Sequence, residues 1–213
     1  MILPLETLRG IFALVIVLHH LKIETFIQNS KIILNGALVV DFFFVLSGFV
    51  ISLNYLNKIN SKQDLFNFQK KRFLRLYPLH VLTLFIFIII EIIKVIVDKY
   101  TSLELTYAPF DGFNNYYSLV ANFFLIHGWY GWSFNLPSWS ISTEFYTYLI
   151  FGLLILFVNK RLFSFILLII FSLIIFILNN SGLNFLDNFI YPTRCIYSFF
   201  IGVITYLIFN KFR

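Results

Sequence analysis

The chain consists of long, continuous apolar runs separated by short polar segments. Six runs approach or exceed the ~20 apolar residues that one bilayer crossing needs, and continuous rather than alternating apolar positions favour helices over transmembrane strands. They cover residues 8–27, 33–56, 76–97, 139–158, 162–178 and 194–209. A weaker stretch, residues 116–126, has under a dozen residues and fits either a re-entrant segment or a seventh crossing. The pattern predicts an all-α, polytopic transmembrane helix bundle with six or seven spans.

Composition agrees with this prediction and narrows the class of protein. Apolar residues make up 60% of the 213 residues and charged residues only 12%, against about 25% charged residues in an ordinary soluble domain. This excludes a disordered chain and a conventional cytosolic enzyme, and the single cysteine, Cys195, excludes a disulfide scaffold. We expect one membrane-embedded domain over residues 1–213, with the lipid bilayer as its main partner and no soluble domain.

The placement of basic residues predicts the orientation in the membrane. The loop expected between the second and third spans carries six basic residues against one acid, Asp64. These residues are Lys58, Lys62, Lys70, Lys71, Arg72 and Arg75. Because cytoplasmic loops are enriched in Lys and Arg, this loop and the N-terminus should be cytoplasmic in a multi-pass protein of the inner or plasma membrane. The net charge of +6 is then explained without a nucleic-acid partner. Basic residues further along the chain would also lie on the cytoplasmic side only if residues 116–126 do not cross the membrane. This favours a re-entrant segment at residues 116–126.

Ionisable groups inside a membrane span are costly, so each is a candidate functional residue. The first span contains Arg9, His19 and His20. His20 lies eleven positions after Arg9. At about 100° per residue this rotation is roughly 20° past three full helical turns, so the two residues share a helix face. A neutral histidine suits the removal of a proton from a hydroxyl near pH 7. The alternative is a histidine hydrogen-bonded between helices for packing.

Two further segments place charge near or within spans. Asp41 lies in the second span and needs a partner, for which a histidine or arginine of the first span is the obvious candidate. Arg72 and Arg75 are three residues apart on the same side of a helix and could hold phosphate oxygens. They could equally anchor the topology, and spacing alone does not decide between these roles. Pro78 fits the first turn of the third span.

The helix expected after Pro137 carries a third polar face. Ser140, Glu144 and Tyr148 follow each other at intervals of four residues, so a carboxylate lies between two hydroxyls within an apolar helix. Burial of that carboxylate for packing alone is a costly alternative. Nearby, His127, Trp129 and Trp132 are typical of an interfacial aromatic belt. Motifs for nucleotide, metal and serine-hydrolase sites are absent from the sequence, so we predict no bound cofactor and no metal site.

Four of these segments, in this order, resemble the acyltransferase 3 family of integral membrane acyltransferases. The matching features are an arginine and a histidine with ten residues between them, an aspartate–phenylalanine segment, an arginine pair before Tyr-Pro, and a tryptophan–serine–glutamate segment. In this chain they are Arg9 with His20, Asp41-Phe-Phe-Phe-Val-Leu-Ser-Gly-Phe49, Arg72-x-x-Arg75 with Tyr77-Pro78, and Trp139-Ser-Ile-Ser-Thr-Glu144. Family members have more spans than are predicted here, so the chain is expected to match the N-terminal portion of the usual domain. Phe145 stands where the family often has a second carboxylate.

The resemblance implies transfer of an acyl group, commonly acetyl, from cytoplasmic acyl-CoA to a hydroxyl of a cell-envelope carbohydrate or similar acceptor. It implies that His20 acts as the base, with Asp41 or Glu144 orienting the imidazole or the acceptor. Three arginines would bind the phosphates of the donor, namely Arg9, Arg72 and Arg75. Ser140 and Tyr148 would support the acceptor or the developing oxyanion. A transporter or flippase of an acyl or glycan intermediate and an inactive fragment are the alternatives.

Overall fold

The computed structural model describes residues 3–21, 30–131, 133–158, 161–180 and 189–212. Within these residues the regular structure is helical, which confirms the predicted all-α class. The helices are α1 (Leu3–His20), α2 (Lys31–Leu34), α3 (Gly36–Tyr55), α4 (Lys62–Tyr100), α5 (Tyr116–Phe123), α6 (His127–Tyr130), α7 (Trp139–Phe157), α8 (Arg161–Asn180) and α9 (Ile190–Phe212). Two short 3-10 turns, Gly112–Asn114 and Leu136–Ser138, precede α5 and α7.

Five helices in the described part of the chain are long and apolar enough to cross a membrane, and they correspond to five of the predicted spans. They are Gly36–Tyr55, Lys62–Tyr100, Leu136–Phe157, Arg161–Asn179 and Ile190–Phe212. The first predicted span contains a shorter apolar helix, Thr7–His20, and residues 22–27 of that prediction lie outside the described residues. Helix α5 has 8 residues, a length of about 12 Å against the ~30 Å of a bilayer core. By length, α5 does not cross.

Helix α4 corrects two predictions about the region before the third span. It begins at Lys62 and has 39 residues, so the basic segment predicted as a loop is helical from that point on. The side chain of Ser61 accepts a hydrogen bond from the Asp64 backbone N–H and caps this early start. Pro78 consequently lies inside the helix and not in its first turn.

The chain divides into two compact units, of which the first contains Met1–Asn54 and Ser198–Arg213. In this unit α3 and α9 approach each other closely, and the approach depends on two glycines. A Cβ atom on Gly48 would lie 1.9 Å from the Phe199 carbonyl oxygen, and one on Gly202 would lie 1.9 Å from the Val45 carbonyl oxygen. The two backbones therefore touch where neither helix has a side chain, as is common between membrane helices.

The second unit, Tyr55–Tyr197, is built on the antiparallel packing of α4 and α7. The Gln69 amide donates to the Phe145 carbonyl at 3.1 Å. The ring of Phe68, one residue earlier on α4, lies 6.2 Å from the ring of Phe151, which is six residues later on α7. After α4 the chain turns back, so that Phe110 and Asn114 lie beside Glu91 of this helix. The Glu91 carboxylate accepts hydrogen bonds from the Phe110 backbone N–H, the Asn114 amide and the Lys94 ammonium, at 2.6–3.1 Å.

Candidate functional site

In the first unit, His20 is the last residue of α1 and its side chain is exposed. Its Nδ1 lies 2.9 Å from the Ile16 carbonyl oxygen. A carbonyl oxygen can only accept, so Nδ1 carries the proton in this contact and Nε2 carries the lone pair of the neutral ring. Arg9, the other residue predicted on this face, is half-buried. The arrangement leaves the Nε2 atom of His20 as the nitrogen that can take up a proton.

The neighbouring His19 has a different role in the structure. Its Nδ1–H donates to the Ile33 carbonyl at 2.6 Å. The helix at Gly36 comes so close that a Cβ atom there would lie 2.6 Å from the Cβ atom of His19. His19 therefore attaches α1 to the segment around α2, whereas His20 makes its described hydrogen bond within its own helix.

Asp41, the carboxylate predicted in the second span, is half-buried in α3. Its neighbour Phe42 packs edge-on against Phe12 of α1, with ring centroids 4.7 Å apart. The contact places α1 and α3 side by side next to Asp41. Gly48, seven residues after Asp41 on α3, serves the packing against α9.

In the second unit, Arg72 lies among three aromatic rings that we call the aromatic cage: Tyr55, Phe68 and Tyr148. Its Cζ atom lies 5.3, 5.8 and 5.9 Å from the respective ring centroids, within the range of cation–π attraction. Its Nη2 also donates to the Tyr55 hydroxyl at 3.4 Å, while its Nε is buried with no hydrogen-bond partner among the described residues. Arg75, one turn further along α4, is exposed.

The polar face predicted on α7 is present, but its three members make different contacts. The Tyr148 hydroxyl donates to Glu144 Oε1 at 2.5 Å, which connects the carboxylate to the aromatic cage. The Ser140 hydroxyl donates to the Pro137 carbonyl at 3.2 Å and so closes the first turn. The structure thus brings Arg72, Tyr148 and Glu144 together.

A buried histidine pair lies at the start of α7 and corrects the prediction that His127 belongs to an aromatic belt. The rings of His80 and His127 stack with centroids 5.0 Å apart and planes within 4°, and both are fully buried. The Nε2–H groups donate to the carbonyls of Asn122 and Ser138, each at 3.0 Å. Burial lowers the pKa of His127 to about 4, because an uncharged ring is favoured away from water. Trp132 of the predicted belt lies outside the described residues.

The candidate residues described above carry imidazole, carboxylate, tyrosine hydroxyl and guanidinium groups. Across the described ranges, no three His, Cys, Asp or Glu side chains form a group that could hold a metal ion. Imidazole and carboxylate groups can transfer protons and orient a hydroxyl, and guanidinium groups can bind phosphate or a developing negative charge.

Comparison with known proteins identifies the family. The sequence model of the family described as "Acyltransferase domain" matches residues 3–213. The chain belongs to the acyltransferase 3 family. It is 30% identical over 161 residues to Acyltransferase MdmB of Streptomyces mycarofaciens, which covers 70% of this chain and 38% of that protein's length. The chain thus spans well under half of this relative. No solved structure matches the chain.

Membership of this family agrees with the apolar helices and with an integral membrane protein. Sequence reasoning had not found Tyr55 and Phe68, which contact Arg72. Phe68 precedes Arg72 by four residues, so the contact could have been expected once residues 62–75 were recognised as helix. The signal for that helix was the cap at Ser61 with Asp64.

Proposed function

We propose that this chain is a membrane-bound O-acyltransferase that moves an acyl group, most simply acetyl, from cytoplasmic acyl-CoA to a hydroxyl of a cell-envelope carbohydrate or similar acceptor. Family membership supports the acyl-transfer reaction. The observation that carries the mechanism is the setting of His20: its side chain is exposed and its Nδ1 lies 2.9 Å from the Ile16 carbonyl oxygen, a contact that directs the Nε2 lone pair of a neutral ring to the substrate.

In the proposed reaction, His20 Nε2 takes the proton of the acceptor hydroxyl as its oxygen attacks the thioester carbonyl. A carbon–oxygen bond forms, and the carbonyl oxygen becomes an oxyanion. When the oxyanion collapses, the carbon–sulfur bond breaks and the CoA thiolate leaves. The imidazolium gives its proton to this thiolate, which restores the neutral His20. Asp41 would orient the imidazole, Glu144 would orient the acceptor, and Ser140 would support the oxyanion.

The donor would be held by arginines, because CoA carries a pyrophosphate and a ribose phosphate. Arg75 is exposed on α4 and therefore available to such an anion, while Arg9 and Arg72 are half-buried. Guanidinium groups form paired hydrogen bonds with phosphate oxygens. The basic residues around this end of α4 favour the cytoplasmic side of the cell membrane, with the N-terminus on the same side.

The proposal is tested with membranes that contain the protein, acetyl-CoA labelled in the acetyl group, and an envelope glycan fraction. We expect the glycan to become labelled. Hydroxylamine should release this label, because it cleaves oxygen esters and leaves amides intact. Membranes without the protein are the control. Label that resists hydroxylamine would contradict O-acyl transfer. Movement of glycan across the membrane without any covalent label would favour the transporter alternative.

A further inference from the structure

The aromatic cage fixes the position of Arg72 on three sides. Tyr55 is the last residue of α3 and Phe68 lies one turn before Arg72 on α4, while Tyr148 belongs to α7. The Tyr148 side chain is 4% exposed. Since water is largely excluded there, the attraction between the guanidinium and the ring faces is stronger than at an open surface. Arg72 is therefore held by contacts with aromatic rings in addition to one hydrogen bond.

Tyr148 has two different contacts, one at each part of its side chain. Its ring lies 5.9 Å from the Arg72 Cζ atom, and its hydroxyl donates to Glu144 Oε1 at 2.5 Å. A cation near the ring withdraws electron density and makes the hydroxyl a better donor to a carboxylate. The positive and negative groups are thus connected through one buried tyrosine.

We propose that Tyr148 is a positioning residue that couples Arg72 to Glu144, so that the two charged groups and the tyrosine act as one unit. This inference rests on the proposed acyl transfer and changes the role of Tyr148 within it. The hydroxyl of Tyr148 orients the Glu144 carboxylate and is not itself a contact for the acceptor or oxyanion. Tyr55 supports the unit by accepting a hydrogen bond from Arg72.

The division of labour between the two arginines follows from their surroundings. Arg72 has its guanidinium among aromatic rings and near a tyrosine bound to a carboxylate, whereas Arg75 is exposed. Arg75 is therefore the better placed of the two for the donor's phosphates. Loss of the Arg75 side-chain charge should change the KM for the donor, and loss of the Tyr148 hydroxyl should change kcat.

The test is a double-mutant cycle of Tyr148→Phe and Glu144→Gln, in which acyl transfer is measured over a range of donor concentrations up to saturation. Tyr148→Phe keeps the ring beside Arg72 and removes only the hydroxyl, so we expect kcat to fall about tenfold with the donor KM unchanged. In the Glu144→Gln background, the same change should cause no further loss, because the hydroxyl acts through the carboxylate. Tyr146→Phe is the matched control, since Tyr146 lies on the same helix and its hydroxyl donates to the Phe124 backbone carbonyl at 2.9 Å.

Each outcome decides between the inference and its alternatives. Three results would overturn the role of Tyr148 and leave the acyl transfer standing. They are a wild-type kcat in Tyr148→Phe, a loss of kcat in Tyr146→Phe equal to that in Tyr148→Phe, and losses of kcat that multiply in the double variant. A wild-type protein that transfers no label would refute the proposed function, and the positioning role would fall with it. A tenfold loss that disappears in the Glu144→Gln background supports both.

Discussion

Replacement of Gly48 by alanine should destabilise the protein through the contact between α3 and α9. The new Cβ atom would lie 1.9 Å from the Phe199 carbonyl oxygen and 3.2 Å from the Val203 backbone nitrogen. An ordinary contact of this kind is about 3.4 Å, because protein interiors are packed at van der Waals distance. The atoms in conflict belong to the backbone, so no side-chain rotation can relieve the overlap and the helices must move apart.

The size of the effect follows from that separation. A local displacement of about 1.5 Å would also open the reciprocal contact at Gly202, and contacts that become this loose lose a large part of their dispersion energy. Overpacking of this kind costs about 1–3 kcal/mol. For a chain of this length, 1 kcal/mol corresponds to about 2–4 °C in Tm. We therefore predict that Gly48→Ala lowers the apparent Tm by about 2–12 °C.

The assay is thermal unfolding of the purified protein in one detergent, with Gly10→Ala as the matched control. Gly10 is also a helical glycine, but beyond its chain neighbours and its own helix backbone a Cβ atom there would have none of the described atoms within 4 Å. Alanine in a helix is about 0.5–1 kcal/mol better than glycine, so the control should keep or slightly raise the Tm. A Gly48→Ala protein that unfolds within 1 °C of the Gly10→Ala control would refute the close approach of α3 and α9.

Three more predictions concern charged or titratable residues. The pKa of His127 in the folded protein is about 4, below the 6.5 of the unfolded chain, so the unfolded state binds more protons between these values and stability falls as the pH drops below 6.5. The free energy of unfolding should be about 2 kcal/mol lower at pH 5 than at pH 8. The Tm of His127→Asn should therefore change less with pH than the Tm of the wild type. Arg75→Gln should raise the KM for acyl-CoA several-fold with kcat unchanged, as measured by initial rates; an unchanged KM would return Arg75 to a topological role. Glu91→Gln should weaken the three contacts that hold Phe110, Asn114 and Lys94, and limited proteolysis should then cut residues 101–115 faster than in the wild type.

The predicted membrane spans follow directly from the apolar runs, because a helix in lipid needs a continuous apolar surface. Reliance on apolar runs is also the reason why the start of α4 was not predicted. The segment from Lys62 to Arg75 is rich in charge, and charge was interpreted as a sign of a loop. The hydrogen bonds that begin this helix depend on two residues, Ser61 and Asp64, whose signal is local and independent of hydropathy.

The candidate site was predictable only where its members lie on one helix. The pairing of Glu144 with Tyr148 follows from a spacing of four residues. The approach of Tyr55 and Tyr148 to Arg72 depends on how separate elements pack, which spacing along one helix does not contain. Likewise, the aromatic residues near His127 predicted that it belongs to an interfacial belt, whereas the structure buries this ring against His80.

The central claim is that His20 takes the proton of the acceptor hydroxyl, and its most direct test compares His20→Ala with His19→Ala in the acetyl-transfer assay. The two histidines are adjacent and each has its Nδ1 at a backbone carbonyl, but the His20 side chain is exposed, whereas His19 is half-buried and bound to the Ile33 carbonyl of another segment. Rates are expressed per amount of folded protein, so that any loss of stability in His19→Ala is removed. Our account predicts a loss of at least about a hundredfold in His20→Ala and a rate close to wild type in His19→Ala. Ester formation at the wild-type rate by His20→Ala would contradict it.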